Sequence, residues 1–129
     1  MRNHIDLPGL SWTKVEPEAT RDPSLQPFGQ AHDLFGDGTL LLIPTPGHTP
    51  GSMSMIVHQP GKAPLAMVGD LTYALDLLDC GHVPGSGSRK QLQQTTNMMN
   101  ELRRNLDGLV VLATHDPEAE RQLEMALES

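Results

Sequence analysis

The sequence predicts an α/β protein, with a mixed β-sheet and two helices on one face of that sheet. Three observations support this. Short apolar runs between turn residues fill positions 32–70, which is typical of strands. Two capped, amphipathic segments follow near residues 88–106 and 116–127, which is typical of helices. The fully apolar run 109–113 lies between them and indicates a strand covered on both faces.

The bulk composition restricts the classes of function. A chain of 129 residues suggests one domain. Its net charge of -7 argues against nucleic acid or an anionic membrane surface as the main partner. The single cysteine, Cys80, excludes an internal disulfide framework and fits a reducing compartment. With neither a signal peptide nor a membrane-spanning run in the sequence, we expect a cytoplasmic location.

The first half of the chain predicts an arm followed by strands. Residues 1–30 are rich in proline and read as an extended arm, which Trp12 and Phe28 would anchor to the core. Residues 31–129 then form the organised domain. Residues 33–35 and 39–43 flank a glycine-bearing turn and predict a hairpin. Further strands are predicted at 53–58 and 64–68, the latter ending at Gly69-Asp70.

The second half predicts helix, strand and helix after an irregular stretch at 71–87. Ser88 with Gln91 makes a capping box for the first helix. Its inner stripe would be Leu92, Thr95, Met99, Leu102 and Leu106, and Asp107-Gly108 would end it. Asp116 would cap the last helix, with Pro117 at its first position. The inner stripe of that helix would be Ala119, Leu123 and Leu127.

One stiff loop presents a histidine. Residues 44–51 read Pro-Thr-Pro-Gly-His-Thr-Pro-Gly, and such a loop can be neither helix nor ladder strand. His48, Asp70 and His115 each follow a predicted strand, and open α/β sheets place their sites at that edge. Imidazole and carboxylate are suitable ligands for zinc, iron or manganese. The remaining histidines lack this setting, and we interpret them as solvated: His4, His32, His58 and His82.

These residues resemble the second half of the metallo-β-lactamase superfamily, and more narrowly its N-acyl-homoserine lactonase branch. The resemblance rests on residues 45–51, on Gly69-Asp70 and on residues 114–116, in the family's order and spacing, and it covers about residues 31–128. Tyr73 lies where those lactonases carry a tyrosine near the substrate carbonyl. The implied fold is half of an αββα sandwich.

The resemblance implies roles for four residues. His48 would be a ligand of a first metal, Asp70 would bridge two metals, and His115 would be a ligand of the second. Tyr73 would be catalytic and would polarise or steady the lactone oxygen. The implied cofactor is zinc or another divalent transition metal, and the implied reaction is attack of a metal-activated hydroxide on a lactone or ester carbonyl.

The family's His-x-His-x-Asp-His motif has no counterpart in this sequence. With it four of the seven protein ligands are missing, so we expect weak metal binding or none. We interpret the chain as a truncated domain that lacks the first half of the sandwich. One face of its sheet would then be uncovered and aliphatic, and we expect a second copy to cover it in a two-fold homodimer burying more than roughly 1,000 Å².

Several functional hypotheses stay open. The favoured hypothesis is a chain descended from a metal-dependent lactone or ester hydrolase that is inactive by itself and stabilised by self-association. The alternative is an active metallohydrolase whose site is completed by a second subunit or another partner. A third is a segment of a longer enzyme.

Overall fold

The structure is a computed structural model that describes residues 8–11 and 13–128. Its strands are β1 (Glu18–Ala19), β2 (Gln30–Asp33), β3 (Leu40–Pro44), β4 (Met53–Val57), β5 (Leu65–Gly69) and β6 (Val110–Ala113). Its α-helices are α1 (Leu75–Asp79), α2 (Arg89–Asn105) and α3 (Ala119–Glu128). A single-turn 3-10 helix spans Pro23–Leu25. The predicted α/β class is confirmed.

The six strands form one mixed sheet in the order β1-β2-β3-β4-β5-β6. The first four neighbouring pairs are antiparallel, and only β5 and β6 are parallel. Strands β3, β5 and β6 therefore run in the same direction. The carboxyl ends of these three strands meet at one edge of the sheet, where the candidate ligands follow them.

The inner face of the sheet packs against α2 and forms the core. Alternate residues of the strands are buried there, among them Ile43, Ile56 and Val111. From α2 the core receives Leu92, Met99 and Leu102, which are all fully buried. The predicted stripe of this helix is therefore confirmed, because its 3.6-residue period places these side chains on one side. Ser88 caps the helix by accepting a hydrogen bond from the backbone N–H of Gln91.

The outer face of the sheet is apolar as well. Two rows cross it in register: Leu40, Val57, Leu65 and Val110, and Leu42, Met55, Met67 and Leu112. None of these eight side chains is charged. Leu65 and Leu112 are buried, most of the others are half-buried, and Met67 is 45% exposed. We call these eight residues the outer face.

Two elements of the sheet differ from the prediction. The predicted hairpin is present, but its first strand is β2, which ends at Asp33, and not residues 33–35. The Asp33 carboxylate accepts hydrogen bonds from the backbone N–H groups of Gly36 and Gly38, which curls the chain away from the ladder. Phe35 is consequently 66% exposed. The strand predicted at 53–58 ends one residue earlier, at Val57.

The helices also differ from the prediction in two places. Helix α1 lies within residues 71–87, which were predicted to be irregular, and it begins without a side-chain cap at Ala74. Helix α3 begins at Ala119 rather than Pro117, after a turn in which Asp116 accepts a hydrogen bond from the N–H of Glu118. Leu127 is 44% exposed, and Ala126 is the buried residue of that helix.

The segment predicted to be an arm contributes to the sheet and the core. Strand β1 pairs antiparallel with β2, which the sequence pattern did not predict. Phe28 and Leu25 are fully buried in the core, so Phe28 anchors the segment as expected. Trp12 lies outside the described residues. Among the residues the structure describes, no helix has the length and apolar content needed to cross a bilayer.

Candidate metal centre

His48, Asp70 and His115 lie together at one edge of the sheet, as the sequence predicted. Asp70 follows β5 directly, and His115 lies two residues after β6. His48 lies in the loop between β3 and β4. The three side chains come together because β3, β5 and β6 point their carboxyl ends the same way, which is where open α/β sheets hold their sites.

A bulge at the end of β5 aims Asp70 at this edge. The register between β5 and β6 shifts between Met67 and Gly69. Gly69 has φ of +59°, a left-handed conformation that glycine adopts without the steric penalty of a Cβ atom. The Thr114 N–H donates to the Gly69 carbonyl over 3.1 Å, which ties the chain before Asp70 to the chain before His115. Bulges of this kind often redirect a side chain beside a functional site.

Internal hydrogen bonds hold the loop that carries His48. The Thr45 N–H donates to the Ser52 carbonyl over 2.9 Å, and the Gly47 N–H donates to the Thr49 carbonyl over 3.1 Å. Together with its three prolines, these bonds leave the loop little freedom. The Ser86 hydroxyl lies 3.4 Å from His48 Nδ1, so it occupies one ring nitrogen while the other faces Asp70.

The Asp70 carboxylate lies between the two imidazoles. His48 Nε2 is 3.5 Å from Asp70 Oδ2, and His115 Nε2 is 2.9 Å from Asp70 Oδ1. The side chains are partly exposed: 37% for His48, 33% for Asp70 and 61% for His115. Each carboxylate oxygen therefore lies nearest to a different histidine, and the cluster is open to solvent mainly on the His115 side.

One oxygen of this carboxylate has no hydrogen-bond donor. Asp70 Oδ1 is buried and accepts no hydrogen bond. His115 Nε2 is close to it, but the ring N–H does not point at the oxygen, so the short distance is not a hydrogen bond. A buried carboxylate oxygen without a donor or a cation is unfavourable. The site therefore has the chemistry to accept a positive charge at this position.

The donor types suit zinc, but these residues do not complete a zinc site. Bonds of about 2.0–2.1 Å at tetrahedral angles place two donor atoms about 3.3–3.4 Å apart. The His48–Asp70 separation is near this value, whereas the His115–Asp70 separation is shorter. Within residues 8–11 and 13–128, no group of three or more His, Cys, Asp or Glu side chains is arranged to hold a metal ion. No catalytic step is therefore assigned to a metal in this chain.

Tyr73 lies beside the same cluster. Its ring centroid is 6.2 Å from that of His115 at an interplanar angle of 64°, an edge-to-face contact. The side chain is 40% exposed. The structure thus brings together all four residues predicted for the site, while the catalytic role of Tyr73 and the ligand roles of the other three stay predictions.

The remaining histidines lie elsewhere. His32 is on β2 and His82 follows α1, while His58 follows β4 at the opposite edge of the sheet, because β4 is antiparallel to β3 and β5. His4 lies outside the described residues. Cys80 is a free, exposed thiol.

Sequence reasoning missed two residues that support the site. Ser86 reaches His48 from the stretch 71–87, which was predicted to be irregular. Asp116, interpreted as a helix cap, also accepts a hydrogen bond from the Leu75 N–H over 3.1 Å. It therefore joins α1 to the segment that carries His115. No local signal reveals either contact, because each joins residues at least 38 positions apart.

Comparison with known proteins finds lactonases that are similar to this chain over part of their length. No protein-family model matches the chain. The N-acyl homoserine lactonase AttM of Rhizobium radiobacter is 33% identical over 120 residues, which are 92% of this chain and 42% of that protein. The AttM lactonase of Azorhizobium caulinodans is 31% identical over 121 residues, with the same two shares. The chain therefore spans about two fifths of the length of the curated relatives it matches.

Solved structures give the same fold. An N-acyl homoserine lactone hydrolase with N-hexanoyl-L-homoserine at its catalytic metal centre has a TM-score of 0.61 and 20% identity, over 70% of this chain and 35% of that chain. A quorum-quenching N-acyl homoserine lactone lactonase has a TM-score of 0.57 and 21% identity, over 64% and 34%. In sequence and in fold, the chain is therefore similar to the C-terminal part of these lactonases, which confirms the resemblance to the lactonase-like branch of the metallo-β-lactamase superfamily.

Proposed function

We propose that this chain carries one half of the active site of a metal-dependent lactone or ester hydrolase, and that the chain by itself is inactive. The position of Asp70 between His48 and His115 carries the proposal. These are the donors that a zinc or manganese centre uses, and they converge at the site edge of the fold. The site supplies three protein donors, and the Asp70 carboxylate lies between the two histidines. Among the described residues these donors leave the metal centre incomplete.

Metal content and hydrolysis of the purified chain test this proposal. We expect less than one equivalent of zinc or manganese per chain, and no hydrolysis of an N-acyl homoserine lactone above the buffer rate. The relatives named as N-acyl homoserine lactonases make this compound the first substrate to assay. Stoichiometric metal with turnover that is lost in His48→Ala but retained in His58→Ala would overturn the proposed inactivity. His58 is the matched control, since it follows β4 at the opposite edge of the sheet.

We further propose that two copies associate through the outer face. Eight uncharged aliphatic or methionine side chains in two rows support this, because two copies of a chain with net charge -7 can meet there without burying a carboxylate. Two sheets pack face to face at about 10 Å in β-sandwiches. Light scattering at micromolar concentration should give a mass of two chains, and a monomer would contradict the proposal.

The second candidate function is an active hydrolase whose site is completed by another subunit. The buried, donorless Asp70 Oδ1 favours it, because a cation held partly by other residues would satisfy that oxygen. If copies of this chain share one centre, His48→Ala and His115→Ala should each be inactive, and a mixture of the two should recover turnover. If neither the wild-type chain nor the mixture shows turnover, copies of this chain do not complete the site for one another, and the inactive half-site stands.

A cytoplasmic location remains part of the proposal. It rests on the single Cys80, a free and exposed thiol, which suits a reducing compartment.

A further inference from the structure

The backbone of the His48 loop is bonded to helix α2. The Ser88 N–H, at the N-terminus of α2, donates to the Gly47 carbonyl over 2.7 Å. The Thr95 hydroxyl, two turns further along the helix, donates to the Pro46 carbonyl over 2.7 Å. Thr95 is 3% exposed, and this hydrogen bond is partly buried. Two successive carbonyls immediately before His48 are thus both held by α2.

The loop and the helix also approach each other too closely for side chains. A Cβ atom on Gly87 would lie 2.3 Å from the Gly47 oxygen and 2.8 Å from His48 Cα. A Cβ atom on Gly47 would lie 2.7 Å from Leu92 Cδ2 and 3.0 Å from Leu92 Cα. All four separations are below van der Waals contact. Glycine at positions 47 and 87 therefore allows the His48 loop to pack directly against α2 and the residues just before it.

The other two candidate ligands are held differently. Asp70 and His115 follow β5 and β6, and the Thr114 N–H joins these two segments through the Gly69 carbonyl. Their relative position is fixed by the sheet. His48 follows β3 of the same sheet, but its position relative to them depends in addition on how α2 lies against the inner face, through Leu92 and its neighbours in the core.

We propose that Thr95 and the turn Gly87-Ser88 are positioning residues for His48. Through these residues, helix α2 fixes the position of the His48 imidazole relative to Asp70 and His115. Outer groups that fix a metal ligand in this way change metal affinity by about 10–100-fold when they are removed. The consequence for metal binding rests on the function proposed above, whereas the positioning itself does not.

The chain offers a matched pair of threonines for the test. Thr96 is fully buried on the same helix, but its hydroxyl has no hydrogen-bond partner. Thr95→Val and Thr96→Val therefore remove the same group from neighbouring positions, and only the first removes a bond to the loop. Thr95→Ser keeps the hydroxyl and should therefore keep the wild-type position of His48. The readout is the imidazole proton resonances of His48 and His115 in the NMR spectrum of the full, metal-free chain.

We expect Thr95→Val to shift the His48 resonances and to leave those of His115 in place. Thr96→Val and Thr95→Ser should leave both histidines unchanged. A merely structural role for Thr95 would lower the melting temperature without singling out His48. If the His48 resonances move no further in Thr95→Val than in Thr96→Val, the positioning role is overturned.

A pair of glycines gives a second route should Thr95→Val fail to fold. Gly87 and Gly81 both have positive φ, +88° and +73°, but a Cβ atom on Gly81 meets nothing within 4 Å. Gly87→Ala combines strain with a clash against the loop, and Gly81→Ala has the strain alone. Only Gly87→Ala should move the His48 resonances, and equal effects of the two variants would overturn the proposal.

Zinc titration of the same variants separates this inference from the proposed function. If the chain binds zinc, Thr95→Val should weaken the affinity by about 10–100-fold, and Thr96→Val should not. Equal zinc affinities in these two variants would overturn the link between positioning and metal binding. If no variant binds zinc at all, the link between positioning and metal binding is overturned for the isolated chain, the proposed inactive half-site stands, and the NMR comparison still decides the positioning role.

Discussion

The two faces of the sheet have similar composition and different surroundings. On β4, Ile56 points inward and is fully buried beneath α2, while its neighbour Met55 points outward and is half-buried. Both faces present aliphatic or methionine side chains, because β3, β4, β5 and β6 are apolar at almost every position. Burial is therefore decided by what packs on each face and not by the residue types. The difference identifies the outer face as the less covered of the two within the described residues, with Met67 45% exposed although Leu65 and Leu112 are buried.

The largest expected difference between the faces is in stability. Ile56→Ala leaves a cavity between the sheet and α2, and should lower the free energy of unfolding by about 2–5 kcal/mol. Met55→Ala should have a smaller effect, and one that grows with protein concentration, because a dimer couples association to folding. Urea denaturation at two protein concentrations measures both variants. Equal and concentration-independent losses would mean that the two faces are equally covered within one chain.

The next largest effect is expected on association. Met67→Asp places a carboxylate in the middle of the outer face, and burying an unpaired charge there is strongly unfavourable. We expect the dimer to dissociate, with at least about a tenfold increase in the dissociation constant, or about 1.4 kcal/mol. Met125→Asp is the control, since Met125 is 59% exposed on α3. A mass of two chains for Met67→Asp in sedimentation experiments would show that the copies meet elsewhere.

A smaller effect is expected from a polar pair buried where the site loop meets the sheet. The hydroxyls of Thr45 and Ser54 lie 2.9 Å apart and form a hydrogen bond, and both residues are almost fully buried. Thr45→Val leaves the Ser54 hydroxyl unpaired and should lower the free energy of unfolding by about 1–3 kcal/mol. Adding Ser54→Ala should recover part of that loss, since no polar group is then left unpaired. Additive losses in this double-mutant cycle would show that the two hydroxyls are not coupled.

The smallest effect is expected at the β2–β3 turn, which belongs to neither face. The Thr39 hydroxyl and the Thr39 N–H both donate hydrogen bonds to the Asp37 carboxylate. The hydroxyl has the larger effect, and together they lower the pKa of that carboxyl below its ordinary value of 3.8. A lowered folded-state pKa stabilises the fold above the unfolded value, and this contribution disappears as the pH falls through the folded value. Thr39→Val should move the pKa of Asp37 back upward, as an NMR titration of the carboxyl would show. An unchanged pKa would mean that the backbone N–H alone is responsible.

Much of the fold could be predicted because it depends on neighbours in the chain. Strands β3, β4 and β5 lie within a residue or two of their predicted bounds, and the Ser88 cap and apolar period define α2. Two elements had no such signal. Strand β1 has only two residues, Glu18 and Ala19, and exists because β2 pairs with it. Helix α1 has five residues and no side-chain cap, so its stability comes from contacts rather than from its own sequence.

The candidate site also has features that the sequence predicted and features that only the tertiary structure determined. From the sequence alone, turn chemistry and strand ends placed His48, Asp70 and His115 at one edge of a sheet. The order of these residues indicated the superfamily, and that resemblance added Tyr73. Only the tertiary structure decided that the Asp70 oxygens face different histidines, that one oxygen is buried without a donor, and that α2 seats the His48 loop. Local preferences act over a few residues of chain, whereas these contacts join positions 22 or more residues apart, whose separation depends on packing.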